Sequence, residues 1–370
     1  MKTSYRVNEK RLIATFIEMA KIPSPSWREG RMIEYIERAL RGLPVRLTKH
    51  QCGDSYNLLI RMRGRSAKKP ILLSAHMDTV TPCDRIRPIV KGARIVSDGT
   101  TILGSDDKAA IAMFLEAIRC ADETGMEHGL IEILLTCAEE VGLRGMKGFD
   151  TSLLASRYAF VFDSDGAIGK IILQAPFHST ITLSVAGKAA HAGMEPEKGV
   201  NAITVLAEII TKLPGGRIDH ETTANIGTIA GGRATNIVAE EATCVMEIRS
   251  LDIHKLRGQE SIVRTVARET ASQKGARCSL SRVMEYYGYT VSPDDPIVSI
   301  ATGALKKIGL RPRFEVSGGG SDTNILNRAG IRAINCSAGM RKVHTTAEYI
   351  LIRDLINGAR FALALLDQMI

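Results

Sequence analysis

DKAAIAMFLEAIRCADETGMEHGLIEILLTCAEE, residues 107–140, decides the fold. Its first half repeats small and apolar residues at helical spacing, which predicts a helix from about 107 to 122. Its second half is a continuous apolar run, LIEILLTC, which predicts a fully buried strand at 130–136. Two glutamates, Glu139 and Glu140, stand where that strand ends. Similar apolar runs at 57–62, 71–75, 158–163 and 170–174 supply further strands. Strands alternating with helices describe an α/β sheet covered on both faces. In such sheets chemistry gathers beyond the strand ends.

Upstream, residues 8–22 read as an amphipathic helix stopped by Pro23. Ser26 and Glu29 have the spacing of a capping box that opens a second helix to about residue 41. The pattern changes after Pro176. A strand at 179–185, a helix at 199–213, strands at 224–230 and 242–250, a helix at 254–273 and a strand at 277–286 follow. That order is β-α-β-β-α-β, the ferredoxin-like split arrangement. The α/β pattern then returns, with a helix near 295–308, the loop SGGGSDTN (317–324), a strand at 331–335 and a helix from about 349. The expected organisation is a catalytic domain in two pieces, 1–176 and 288–370, with an inserted α+β domain at 177–287.

Five segments carry polar residues at or beside apolar runs. They are SAHMDTV (74–80), LGSDDKAA (103–110), CAEEVG (137–142), FVFDSDG (160–166) and VHTTAEY (343–349). Together they offer two histidines and a surplus of carboxylates, the donor mixture of a hydrolytic two-metal site. In the H-x-D pair, Asp78 and His76 point to one side of a strand, so Asp78 can accept from the imidazole nitrogen that is not on metal. Of Asp106 and Asp107, one could cap the following helix while the other bridges two metals; spacing does not choose. Glu139 and Glu140 repel unless something positive lies between them, and they suit one ligand and one general base. Asp163, taken singly, reads as well as a turn residue as it does as a ligand, and a lone histidine near a C-terminal helix, such as His344, is usually a surface or capping residue.

The inserted region adds His191 in a small-residue turn (GKAAHAG) and Arg249 at a strand end, able to grip a carboxylate bidentately. The loop at 317–321 lacks a P-loop lysine and the G-x-G-x-x-G pattern, which excludes nucleotide binding. The formal charge is +9, from 49 basic and 40 acidic residues. The basic residues are scattered, which argues against nucleic acid as a partner. No apolar run spans a bilayer. The N-terminal MKTSYRVNEKRL lacks the apolar stretch of a signal peptide. The seven cysteines are odd in number and form no C-x-x-C pair, which suits a reducing compartment. A cytoplasmic protein is the expectation.

In this order the five segments resemble the co-catalytic zinc family that contains peptidase T, carboxypeptidase G and succinyl-diaminopimelate desuccinylase, and the likeness is to the peptidase T branch. Asp163 stands where many deacylases of the family carry Glu. The resemblance implies two Zn2+ per chain, with Co2+ or Mn2+ as substitutes. One ion would take His76, Asp106 and Asp163; the other would take Asp106, Glu140 and His344. Asp106 would bridge them, with a cis peptide before Asp107. Asp78 would orient His76, and Glu139 would act as general base. His191, Asn236, Arg249 and Gly319, within the glycine-rich loop, would contact substrate. Ala75 and Ala110 depart from glycines frequent in the family, outside the ligand set. The implied activity is release of the N-terminal residue of short peptides by a homodimer joined through the inserted domain, with His191 acting in its own or its partner's site. The alternatives are an N-acyl-amino-acid deacylase of the same architecture and a non-catalytic peptide-binding relative.

Overall fold

A computed structural model describes residues 5–368. By contact density the chain divides into two compact units. One gathers the chain up to Leu173, Thr290–Val316 and Ser321 onward; the other is Gln174–Tyr289 with Ser317–Gly320.

The first unit is built on a nine-stranded sheet. Four neighbouring strands, Ile131–Thr136, Ile71–His76, Tyr158–Ser164 and Arg332–Ser337, run parallel. Val45–Cys52 and Ser55–Met62 extend the sheet antiparallel on one side, and Lys170–Ala175 does so on the other. Ile71–His76 and Ile131–Thr136 are buried throughout. Alternate residues feed opposite faces, as the pleat requires. Leu73, Ile133 and Phe160 join one core, while Leu72, Leu134 and Val161 join another. The helix Ser105–Glu123 is buried along nearly its whole length in the larger core. The architecture is the sheet-rich α/β class the sequence predicts.

Three local expectations are corrected. The second helix runs Gly30–Ala39 and has no side-chain cap. Ser26 Oγ donates instead to Asp78 Oδ2 (2.7 Å), and Glu29 accepts from the Trp27 and Ala138 amides (2.9 and 3.0 Å). Each side chain has a buried partner distant in sequence, Asp78 for Ser26 and the Ala138 amide for Glu29, and these prevail over a local cap. A capping box forms instead at Ser321 and Asn324, where the helix Asp322–Arg328 occupies part of a stretch read as loop. The C-terminal helix begins at Ile352, because Tyr349–Leu351 is a strand paired with Arg94–Val96.

The second unit has the β-α-β-β-α-β order. Phe177–Ala186 lies between Glu241–Ser250 and Arg277–Tyr286, and Thr222–Gly231 pairs with Glu241–Ser250, all antiparallel. Alternate residues of Phe177–Ala186 are buried. They pack with Val205, Leu206, Ile209, Leu256 and Val263 of the helices Ala202–Lys212 and Ile253–Gln273. Asn201 caps the first of these through the Ile203 and Thr204 amides. One face is thus core, as expected for an antiparallel sheet.

Candidate metal centre

Parallel strands bring their carboxyl ends to one edge of the sheet, and there the predicted residues of the first unit meet. His76 ends its strand and is buried. Its Nδ1 lies 2.9 Å from the Asp78 carbonyl oxygen and 3.5 Å from Asp78 Oδ1. An N–H at Nδ1 donating to that carbonyl leaves a lone pair on Nε2. Nε2 faces two more acceptors, Asp106 Oδ1 at 3.0 Å and Asp163 Oδ1 at 3.8 Å. His344 Nε2 lies 3.2 Å from Asp106 Oδ2 and 3.1 Å from Glu140 Oε1. The two oxygens of Asp106 are therefore divided between two imidazoles.

This arrangement needs positive charge. Burial and neighbouring acids hold Glu139 and Asp163 well above the ordinary carboxylate range, and Glu140 is raised for the same reasons. Hydrogen bonds to Asp106 and Glu140 push His344 up to about 10. Burial opposes protonation of His76, but hydrogen bonds to Asp106 and Asp78 override it and lift the group well above its usual value. Protons held so firmly between carboxylates mark positions where a metal cation can replace them.

The distances fit as well. Two donors each about 2.0–2.2 Å from a shared tetrahedral zinc lie about 3.3–3.6 Å apart. Donor atoms of His76, Asp106 and Glu140 lie within 4.8 Å of one another, as do those of His76, Asp107 and Asp163. Asp107 Oδ1 is buried without a hydrogen-bond partner. The residues present fit a pair of divalent cations.

The surroundings hold the backbone of these donors. Asp78 accepts from the amides of Glu139 (2.9 Å) and Glu140 (3.2 Å), so its carboxylate sets the glutamate turn as well as facing His76. Asn335 exchanges two hydrogen bonds with the Asp163 backbone, both 3.0 Å. Ala138 and His344 have left-handed backbones (φ 49° and 61°), which cost roughly 1–3 kcal/mol each for non-glycine residues and collect at functional sites. The Asp106–Asp107 peptide is cis.

Sequence reasoning left Asp322 and Glu348 out of the site, and weighed Asp107 only as an alternative to Asp106. Asp322 accepts from Thr136 Oγ1 (2.6 Å), its other oxygen is buried without a partner, and burial pushes it up to about 6. Only an apolar setting for an acid could have flagged it, and SGGGSDTN gives none. Glu348 lies in VHTTAEY, the segment of His344, but a single glutamate at that place carries no local signal of burial.

In the second unit, His191 and Asn236 lie on facing turns, joined by a bond from the Ala192 amide to the Asn236 carbonyl (2.9 Å). His191 Nδ1 accepts from the Gly193 and Met194 amides (3.2 and 3.1 Å), which places the proton of the neutral ring on Nε2. Arg249 Nη2 pairs with Glu247 Oε2 (3.0 Å), which His178 also approaches (3.2 Å). Arg249 Nη1 reaches the Gly318 carbonyl at 3.5 Å, and its buried Nε has no partner. The Gly319 amide donates to Ser317 Oγ (3.0 Å), beside Arg249.

Comparison with known proteins agrees with these observations. Residues 177–274 match the peptidase dimerisation domain, and residues 57–208 match peptidase family M28. The uncharacterized protein YqjE of Bacillus subtilis is 38% identical over 98% of this chain and 99% of its own. The crystal structure of aminopeptidase PepT from Bacillus cereus shares 37% identity, covers 98% of both chains and superposes with a TM-score of 0.88. A tripeptidase structure from Staphylococcus aureus shares 34% identity over 98% of both chains, with a TM-score of 0.91. The chain belongs to the peptidase T-like M20 family. A peptidase T-like chain is an enzyme, a metal-dependent hydrolase. The match at 177–274 assigns the second unit of this family member to the dimerisation module.

Proposed function

We propose that this chain is a two-zinc aminopeptidase that removes the N-terminal residue of short peptides, tripeptides above all. The observation that carries the two-metal part is the divided Asp106 carboxylate, with one oxygen toward each histidine. In the proposed set, His76, Asp106 and Asp163 hold one ion, and Asp106, Glu140 and His344 hold the other, with Co2+ or Mn2+ able to substitute. When bound, the ions polarise the scissile carbonyl and make water a better nucleophile near neutral pH.

The chain's own groups do the rest. Glu139 takes a proton from the attacking water and delivers it to the leaving amine nitrogen. The Asp78 carbonyl, rather than the carboxylate the sequence suggests, keeps His76 in the right tautomer, and the carboxylate fixes the turn from which Glu139 projects. The outward Nε2–H of His191, with Asn236, donates to the developing oxyanion. Arg249, tethered by Glu247 and backed by the Gly319 loop, receives the peptide's carboxylate. The surplus of acids around the metal site attracts a free amine at the other end. A peptide gripped by both charged ends is limited in length, which favours tripeptides.

A homodimer formed through the second unit is part of this reading. Thr222–Gly231 pairs on its outer side only at Thr223 and Ala224, and Ile229 on the same strand is 57% exposed. An open strand edge with apolar residues invites a second copy. All seven cysteines are free, which supports a reducing, cytoplasmic setting, and no helix among the described residues is long and apolar enough to cross a membrane.

The test is kcat/KM for a tripeptide, its N-acetyl form and an N-acyl amino acid. The free tripeptide should be preferred by at least about tenfold over either, a difference of roughly 1.4 kcal/mol. Faster turnover of the acylated compounds would replace the aminopeptidase with the deacylase.

A further inference from the structure

We infer that Glu348 is a positioning residue that locks Asp106 to the turn carrying His344, so that one carboxylate can serve two ions; this rests on the two-metal reading above. Glu348 is 1% exposed, and both of its oxygens are saturated. Oε2 accepts from the amides of Leu103 (2.7 Å) and Gly104 (2.8 Å). Oε1 accepts from Ser105 Oγ (2.5 Å) and the Asp106 amide (3.1 Å). Those four donors are the approach to Asp106, residue by residue. Gly104 turns there with φ +72°.

The same short turn supplies His344 and the clamp. The Glu348 amide returns to the Thr345 carbonyl (3.1 Å), and Ser97 Oγ ties Thr346 to the Thr101 carbonyl. The turn bearing one imidazole is therefore fastened to the loop bearing the shared acid. A buried carboxylate beside an acid-rich site is a costly way to fill space, because it adds repulsion to desolvation. Four converging donors explain its presence: only an ionised carboxylate offers two acceptor oxygens to all of them. Glutamine would turn an N–H2 group either toward the Leu103 and Gly104 amides or toward the Asp106 amide, so at least one N–H donor loses its acceptor. The expected consequence is a loop 103–106 released from its register, with Asp106 able to serve one imidazole at a time.

The test is cobalt loading of the metal-stripped full-length protein, followed by equilibrium dialysis and visible absorption at one and two equivalents. The wild type should take up two ions. Glu348→Gln should bind its second ion at least tenfold more weakly and show an altered second-equivalent spectrum. Glu132→Gln is the structural control. Glu132 is equally buried and is gripped by Arg61 Nε (2.9 Å) and the Ser156 amide (2.8 Å) in the strand before the site. It should lose thermal stability yet keep both ions and the wild-type spectrum. If Glu348→Gln does not fold, Ser105→Ala removes one donor to the same carboxylate and should weaken the second ion about threefold. A folded Glu348→Gln chain, or failing that Ser105→Ala, that binds two ions with wild-type affinity and spectrum overturns the clamp alone. A wild-type chain that takes up fewer than two ions overturns the two-metal reading and the clamp with it.

Discussion

Glu139 and Glu140 are adjacent, both half-buried, and both gripped through their amides by one carboxylate, that of Asp78. They differ in what their side chains face. Glu140 meets His344 at 3.1 Å, whereas Glu139 has no such partner among the described residues and is shifted upward by burial and by the charge of Asp163. A carboxylate whose affinity for protons is raised is suited to take one and pass it on. Glu139→Gln should therefore lower kcat by about 10²–10⁴-fold with metal content unchanged. Glu140→Gln should lose one metal equivalent. Steady-state kinetics beside elemental analysis separate the two, and an exchanged pattern would reverse the assignment of base and ligand.

At the scale of elements, the metal centre depends on how the strand Ile131–Thr136 is ended. Asn57, from the neighbouring strand, accepts from the Cys137 amide (3.0 Å) and donates to the Gly145 carbonyl (2.8 Å). A Cβ on Gly145 would stand 2.1 Å from the Cys137 carbonyl oxygen and 2.7 Å from Asn57 Oδ1. The turn that presents Glu139 and Glu140 is thus folded back with no room for a methyl group. Gly145→Ala should cost about 1–3 kcal/mol through overpacking, read as a lowered urea midpoint. It should also weaken metal retention, because the displaced turn carries Glu140. Unchanged stability and metal content together would show that the turn relaxes freely.

At the scale of the whole molecule, metal and assembly are the levers. The site collects acids from six separate segments of the first unit (Asp78, Asp106 with Asp107, Glu139 with Glu140, Asp163, Asp322 and Glu348), which in the absence of cations repel or hold protons. Chelation should abolish activity and lower Tm, and zinc or cobalt should restore both. An ion present at a hundred times its dissociation constant stabilises by about 2.7 kcal/mol, so the shift is measurable by calorimetry. An unchanged Tm after verified metal removal would argue that the acids are satisfied without cations. Assembly is tested on the second unit alone. Ile229→Asp places a charge on the open edge of Thr222–Gly231 and should yield monomers in sedimentation, while the fold of each chain persists by circular dichroism.

The sequence by itself determined the alternation of buried strands and helices, the inserted β-α-β-β-α-β unit and the short segments that converge at the site. These are local properties: apolar period, turn residues and the place of polar residues at the ends of apolar runs. Tertiary structure decided how the polar groups are partnered. Ser26 and Glu29 have the spacing of a helix cap, yet they serve Asp78 and Ala138, because a buried acceptor or donor left unsatisfied costs more than an uncapped helix end at the surface. Asp106 and Asp107 are indistinguishable as neighbours in a sequence, but only Asp106 places its oxygens between two imidazoles. Glu140 and His344 stand 204 residues apart and lie 3.1 Å from one another. No local pattern encodes that meeting, since it depends on the last parallel strand, Arg332–Ser337, returning the chain to the edge where Ile71–His76 and Ile131–Thr136 end.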